Sequence, residues 1–202
     1  DLIDAVRSDW PYRAVVADSF YGRNEVFQTH LIRQHIPFVL ALPALPLTHN
    51  GKADLQALSD LLEGTDIFLV SDEVYEHIVF DGRVHESVLR WPQLARRAFV
   101  VSSFGKTYHC TGWKIGYAIA PPALTAEFRK VHQYNTFTSF GPAQYGFAAM
   151  IRDEPEHHLE LGAFYQAKRD RFREQLLGTR LKPLPVPGGY FQLVDYSADS
   201  DL

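Results

Sequence analysis

Three short apolar runs, Ile67–Val70, Ala98–Val101 and Gly116–Ala120, constrain this chain more than any other feature. Each has the length of a buried strand, and stretches with helical periodicity separate or follow them. The first run ends in Ser71-Asp72-Glu73 and the second in Ser102-Ser103. Alternating strands and helices predict an α/β fold with a mixed, mostly parallel sheet flanked by helices. In such open sheets ligands bind beyond the carboxyl ends of the strands, so these two polar ends mark the candidate site.

The remaining elements follow from local signals. Leu55, Leu58, Leu61 and Leu62 form one face of a helix, and Gly64 suits its stop. Further helices are predicted at 122–133, 142–152 and 156–177, with Pro142 at a first helical position. Tyr190–Val194 alternates as a strand after the Pro187-Gly188-Gly189 turn. Upstream, Ala14–Ala17, a helix over Glu25–Gln34 capped by Asn24, and Phe38–Leu42 predict a βαβ unit. The Pro43–Lys52 stretch is rich in proline and turn residues and is the expected boundary.

Composition excludes several classes. With 202 residues, 46% hydrophobic and 22% charged, the chain can bury the core of one domain or a domain and a half. A net charge of -4 supplies no general attraction to nucleic acid or to an anionic membrane. No apolar run approaches the roughly 20 residues of a membrane span, and the N-terminus lacks the pattern of a signal peptide. A single cysteine, Cys110, excludes an internal disulfide and a cysteine-rich metal centre, and is expected to be a buried small side chain in a cytoplasmic setting. The nine histidines show no metal-ligand spacing, and His157-His158 is expected on a solvated helix face. Tyr108 and Trp113 are expected in the core or a cleft wall.

Ser-Asp-Glu-Val-Tyr (71–75), Ser-Ser-Phe-Gly-Lys-Thr-Tyr-His (102–109) and Gly-Trp-Lys-Ile-Gly-Tyr (112–117) together resemble the fold-type-I, class I and II pyridoxal-phosphate aminotransferases. The branch acting on methionine, aromatic amino acids and kynurenine is the most similar. Val131-His132-Gln133-Tyr134, Pro142-Ala143-Gln144, Gly189-Tyr190-Phe191 and Asp195-Tyr196-Ser197 continue the likeness. Several motifs in the family's order are far more specific than one short match.

The resemblance implies a cofactor, pyridoxal 5'-phosphate, and a role for each motif residue. Lys106 would carry the cofactor covalently and then serve as general acid and base. Asp72 would sit at the pyridine nitrogen and keep it protonated, which makes the ring an electron sink. Tyr75 matches the tyrosine that hydrogen-bonds the phenolic oxygen. Ser103 and Lys114 match phosphate ligands, Lys114 standing where many members have an arginine fork. Asn50 is read as a remnant of the family's asparagine–proline turn. Amino-acid and 2-oxo-acid substrates and a homodimer are the implied partners.

The likeness covers residues 54–202, read as the large-domain core (54–180) and the start of the small domain (181–202). The family's N-terminal phosphate loop, its stacking aromatic and its C-terminal substrate arginine have no counterpart here. Residues 1–42 instead resemble an insertion-sequence DDE transposase through Val15-Val16-Ala17-Asp18-Ser19-Phe20-Tyr21-Gly22, with Asp18 in the place of one acidic metal ligand. No acidic partner accompanies Asp18, so no metal site is expected. The 43–53 junction also resembles a peptide-synthetase motif around Lys52. A mosaic gene is the reading that joins these parts. Its rival readings are a catalytically dead cofactor-binding remnant and a transposase-derived nucleic-acid-binding fragment.

Overall fold

The computed structural model describes residues 15–17, 38–42 and 51–196. Two short strands, β1 (Val15–Ala17) and β2 (Phe38–Leu42), precede helix α1 (Gly51–Leu62). Then come β3 (Leu69–Asp72), a short α2 (Pro92–Ala95), β4 (Ala98–Ser103), the single-turn α3 (Phe104–Thr107) and β5 (Gly116–Ile119). Three longer helices follow: α4 (Pro122–Asn135), α5 (Gly141–Asp153) and α6 (His157–Gln175). A two-stranded ribbon, β6 (Lys182–Pro183) and β7 (Val194–Asp195), closes the described chain.

The sheet runs in the order β1-β2-β3-β4-β5. β1 to β4 are mutually parallel, and β5 is antiparallel to β4. This is the mixed, mostly parallel sheet expected. β1 and β2 extend the sheet beside β3, with Leu40 opposite Leu69. The expected helix over 25–34, and Asp18, Asn50 and Ser197, lie outside the described residues.

The main core sits between α1 and the sheet. Leu55 and Leu62 of α1 are buried against Leu69, Ala98 and Val100, with Val88 and Leu94 completing the cluster. Burying each such leucine stabilises the fold by about 1.5–3 kcal/mol. Gly64, at φ 70, takes the left-handed turn that ends α1.

β3 begins two residues later than the apolar run suggests. One guanidinium nitrogen of Arg97, Nη1, donates to the carbonyls of Leu62, Thr65 and Ile67, at 2.9, 3.0 and 3.1 Å. Those carbonyls are turned toward a side chain, and the ladder starts beyond them. The expected strand over Tyr190–Val194 is likewise shortened to Val194–Asp195. Gln192 Nε2 donates to the carbonyls of Leu184 and Leu193, both at 2.7 Å, which fixes this stretch by side chain rather than by ladder.

Two smaller cores place the site. Tyr75, Ile78 and Phe80 bury against Leu161 of α6. Gly162 lets the two approach, since a Cβ there would lie 3.1 Å from the Val79 carbonyl. Ile115, Ala143 and Phe147 form the other, with Phe104, Tyr108 and Cys110 packed around them. The histidine pair at 157–158 is therefore not on a solvated face. His157 Nε2 lies 2.9 Å from the Thr107 carbonyl and its ring stacks on Tyr108, while His158 packs on His77.

Candidate active site

The parallel pairing of β3 with β4 sets Asp72 beside Val101, so both polar strand ends emerge at the same edge. Asp72 Oδ1 accepts from the Val74 amide at 3.2 Å, which turns the chain immediately after the strand. Burial pushes the Asp72 carboxyl above its usual range, against the opposing pull of the Val74 amide and of Lys106. Its negative charge is costly in this place, and a cation facing it would relieve that cost.

Lys106 enters from the end of β4. Ser103 caps α3, its Oγ accepting from the Gly105 amide at 3.1 Å. Gly105 is buried, and a Cβ there would lie 2.6 Å from Thr111 Cα. Only glycine lets the 104–111 turn fold back so tightly. Cys110 N–H and the Thr111 hydroxyl both donate to the Gly105 carbonyl, at 2.9 and 3.2 Å. This pinned turn projects Lys106 Nζ to 5.9 Å from the Tyr75 ring centre and 5.5 Å from that of Tyr190. Lys114 follows at the entry to β5, exposed and in the left-handed conformation at φ 53. Because β5 returns antiparallel with Gly116 opposite Ser103, Lys114 returns to the edge from which Lys106 leaves.

The structure thus brings Asp72, Tyr75, Ser103, Lys106 and Lys114 to one edge of the sheet. Tyr75 is 7% exposed, and burial together with a hydrogen bond to Tyr190 raises its phenol pKa. Trp113, Tyr108 and half-buried Cys110 line a neighbouring aromatic cleft of about 390 Å³ with Phe147. Burial raises the Cys110 thiol pKa, which disfavours the reactive thiolate.

Two carboxylates that sequence reasoning passed over brace this edge. Glu73 is 4% exposed and accepts from the Ser71 hydroxyl at 3.0 Å and the Val88 amide at 3.1 Å, with His85 Nε2 at 2.8 Å. Burial pushes the Glu73 carboxyl up, but hydrogen bonds from His85, Ser87 and Val88 outweigh it and hold the carboxyl below its ordinary value. Glu76 Oε1 accepts from the Ser102 hydroxyl at 3.0 Å and the Tyr117 hydroxyl at 2.7 Å, tying the Tyr75 turn to β4 and β5. Burial, with the hydrogen bond to Glu76, pushes the Tyr117 phenol up to about 12.

Tyr190 is the site residue to which the sequence assigned no role. It stood within the Gly189-Tyr190-Phe191 motif, and its distance along the chain from Lys106 hid the contact. Its signal was the double glycine: Gly188 and Gly189 are buried, and Gly189 sits at φ 75. The Phe80 amide donates to Pro187 O at 2.9 Å and the Gly189 amide to Ile78 O at 2.8 Å. These bonds deliver Tyr190 to the site edge-on to Tyr75, with ring centres 4.9 Å apart.

The family model described as "Aminotransferase class I and II" matches residues 51–202. Methionine aminotransferase of Escherichia coli K12 is 56% identical over 151 residues, covering 75% of this chain and 39% of that protein. Human kynurenine–oxoglutarate transaminase 3 is 35% identical over 173 residues, covering 81% of this chain and 38% of that protein. An E. coli crystal structure identified with a methionine aminotransferase function superposes with a TM-score of 0.74 at 51% identity, covering 82% of this chain and 44% of that one. A Thermus thermophilus aspartate aminotransferase variant superposes at 0.68 and 26% identity, covering 92% of this chain and 48% of that one. The chain spans less than half the length of each of these relatives.

Proposed function

We infer that this chain, which belongs to the class I and II aminotransferases, holds pyridoxal 5'-phosphate at the shared edge of β3 and β4 and serves amino-group transfer from an amino acid to a 2-oxo acid. The observation that carries this reading is the convergence there of Asp72, Tyr75 and Lys106 from separate elements. The donor set fits the cofactor: a desolvated carboxylate for a ring N–H, an amine for an aldehyde and a phenol for a phenolic oxygen. Ser103 and Lys114 would hold the phosphate. When bound, the cofactor supplies an electron sink for the pair released as the amino acid's α-proton leaves.

The protein's own part is orientation and proton transfer. Asp72 holds a negative charge where burial favours a cationic partner. Lys106 Nζ takes the α-proton and returns it. The pinned 104–111 turn and the Glu76 brace keep Lys106 and Tyr75 in register, which orientation-dependent chemistry requires. The likeness to methionine and kynurenine enzymes supports a methionine or aromatic amino donor. A homodimer belongs to the same reading, supported by the exposed Tyr134, Phe137, Phe140 and Tyr145 surface. Cytoplasmic residence is supported by the single cysteine.

The test is an absorbance spectrum of the chain with added pyridoxal phosphate, for wild type and Lys106→Ala. A near-visible band that survives dialysis in wild type, is absent from Lys106→Ala and shifts with an amino acid is the expected result. No Lys106-dependent band would refute the cofactor site. A band that no amino acid perturbs would identify the alternative, a cofactor-binding remnant without turnover.

A further inference from the structure

The contact between Lys106 and Tyr190 goes beyond the motif residues. Lys106 Nζ lies to one side of the Tyr75 and Tyr190 rings, 5.9 and 5.5 Å from their centres, and those rings meet edge-on. The Tyr190 ring thus adjoins both the Lys106 amine and the Tyr75 ring. Its own position is fixed from behind by the backbone bonds of Pro187 and Gly189 to Phe80 and Ile78. A phenol held beside an ammonium group is suited to share a proton with the amine, because the neighbouring positive charge favours the phenolate.

We propose that Tyr190 is a positioning residue for Lys106, holding its Nζ beside Tyr75 and exchanging a proton with it. In the transfer the Lys106 ammonium gives a proton to the Tyr190 phenolate: one N–H bond breaks on Lys106 and one O–H bond forms on Tyr190, with no electrons gained or lost. The amine is left neutral, the state it needs as a nucleophile. The inference rests on Lys106 being the cofactor lysine. Burial alone would raise the Tyr190 phenol pKa, but the hydrogen bonds with Lys106 and Tyr75 outweigh it and hold the group below its ordinary value. The other titratable or charged groups facing this neighbourhood are Tyr165 on α6, whose ring centre lies 5.8 Å from that of Tyr190, Asp72 beside Tyr75, and Lys168 and Arg169 along the adjoining cleft.

The test is an ultraviolet phenolate titration of the full chain without cofactor. One tyrosine should titrate ahead of the rest in wild type, and its signal should vanish in Tyr190→Phe, which keeps the ring. In Lys106→Met, which keeps most of the stem, the same signal should move up by about one pH unit, the scale of a lost neighbouring positive charge. Tyr165→Phe should leave it in place. An early-titrating signal that persists in Tyr190→Phe, or that does not move in Lys106→Met, overturns the proposal. The cofactor reading is judged separately by the Lys106-dependent absorbance band, so either can fail while the other stands.

Discussion

Replacing Glu73 tests how the site is braced. The carboxylate is 4% exposed and receives the Ser71 hydroxyl, the Val88 amide and the His85 ring, so Glu73→Ala leaves buried Ser71 and Val88 and half-buried His85 facing a void. A hydrogen bond to a charged group contributes about 1.5–3 kcal/mol, and breaking a buried pair by removing one member costs about 3–5 kcal/mol. These terms overlap, so the expected loss is about 3–5 kcal/mol. Glu73→Gln keeps the shape and one acceptor and should cost about half as much. Urea unfolding followed by tryptophan fluorescence should show the midpoint falling with little change in slope. The pH dependence has a definite sign. The folded carboxyl lies below its ordinary value of 4.5, so its contribution is present above that pH and is lost as the pH falls through the folded value. The Glu73→Gln penalty should therefore shrink in acid. A Glu73→Ala loss below about 1 kcal/mol, or a Glu73→Gln penalty that does not depend on pH, would refute the brace.

Two further outcomes follow from the site's construction. Asp72→Asn should retain the Lys106-dependent absorbance band yet slow amino transfer by about 10²-fold, the scale of one lost electrostatic contact, as read by single-turnover spectroscopy. Gly105→Ala should destabilise the fold by about 1–3 kcal/mol in thermal melts, because its Cβ meets the Thr111 backbone at 2.6 Å and no side chain can yield.

The site was legible where chemistry is written locally. Asp72 and Tyr75 lie on one turn, and Ser103 and Lys106 on another, so two short motifs named four residues whose convergence then followed from sheet pairing. Tyr190 was not legible because its approach depends on buried glycines pairing with the 78–80 segment far away in sequence. Glu73 and Glu76 were given no role of their own, because their partners His85 and Tyr117 arrive from elsewhere in the chain. The start of β3 was misplaced for a similar reason. Arg97 claims carbonyls at 62, 65 and 67, which no local periodicity reveals. Fold class survived these misses because the alternation of apolar runs with helical stretches depends on many residues at once.

Helix α4 carries a consequence of another kind. Its fourteen residues include none that is buried, and Tyr134 near its end is 87% exposed. A helix of that length is marginal alone, since its nucleation cost is repaid mainly by packing. One tilted ring contact, Phe128 with Phe99 at 5.9 Å, touches the sheet. The amides of α4 are therefore guarded by little beyond their own ladder, whereas those of β3 and β4 open only with the core. Amide exchange across the unassembled chain should thus be graded, with α4 a separate cooperative unit that unravels while the Lys106 edge stays closed.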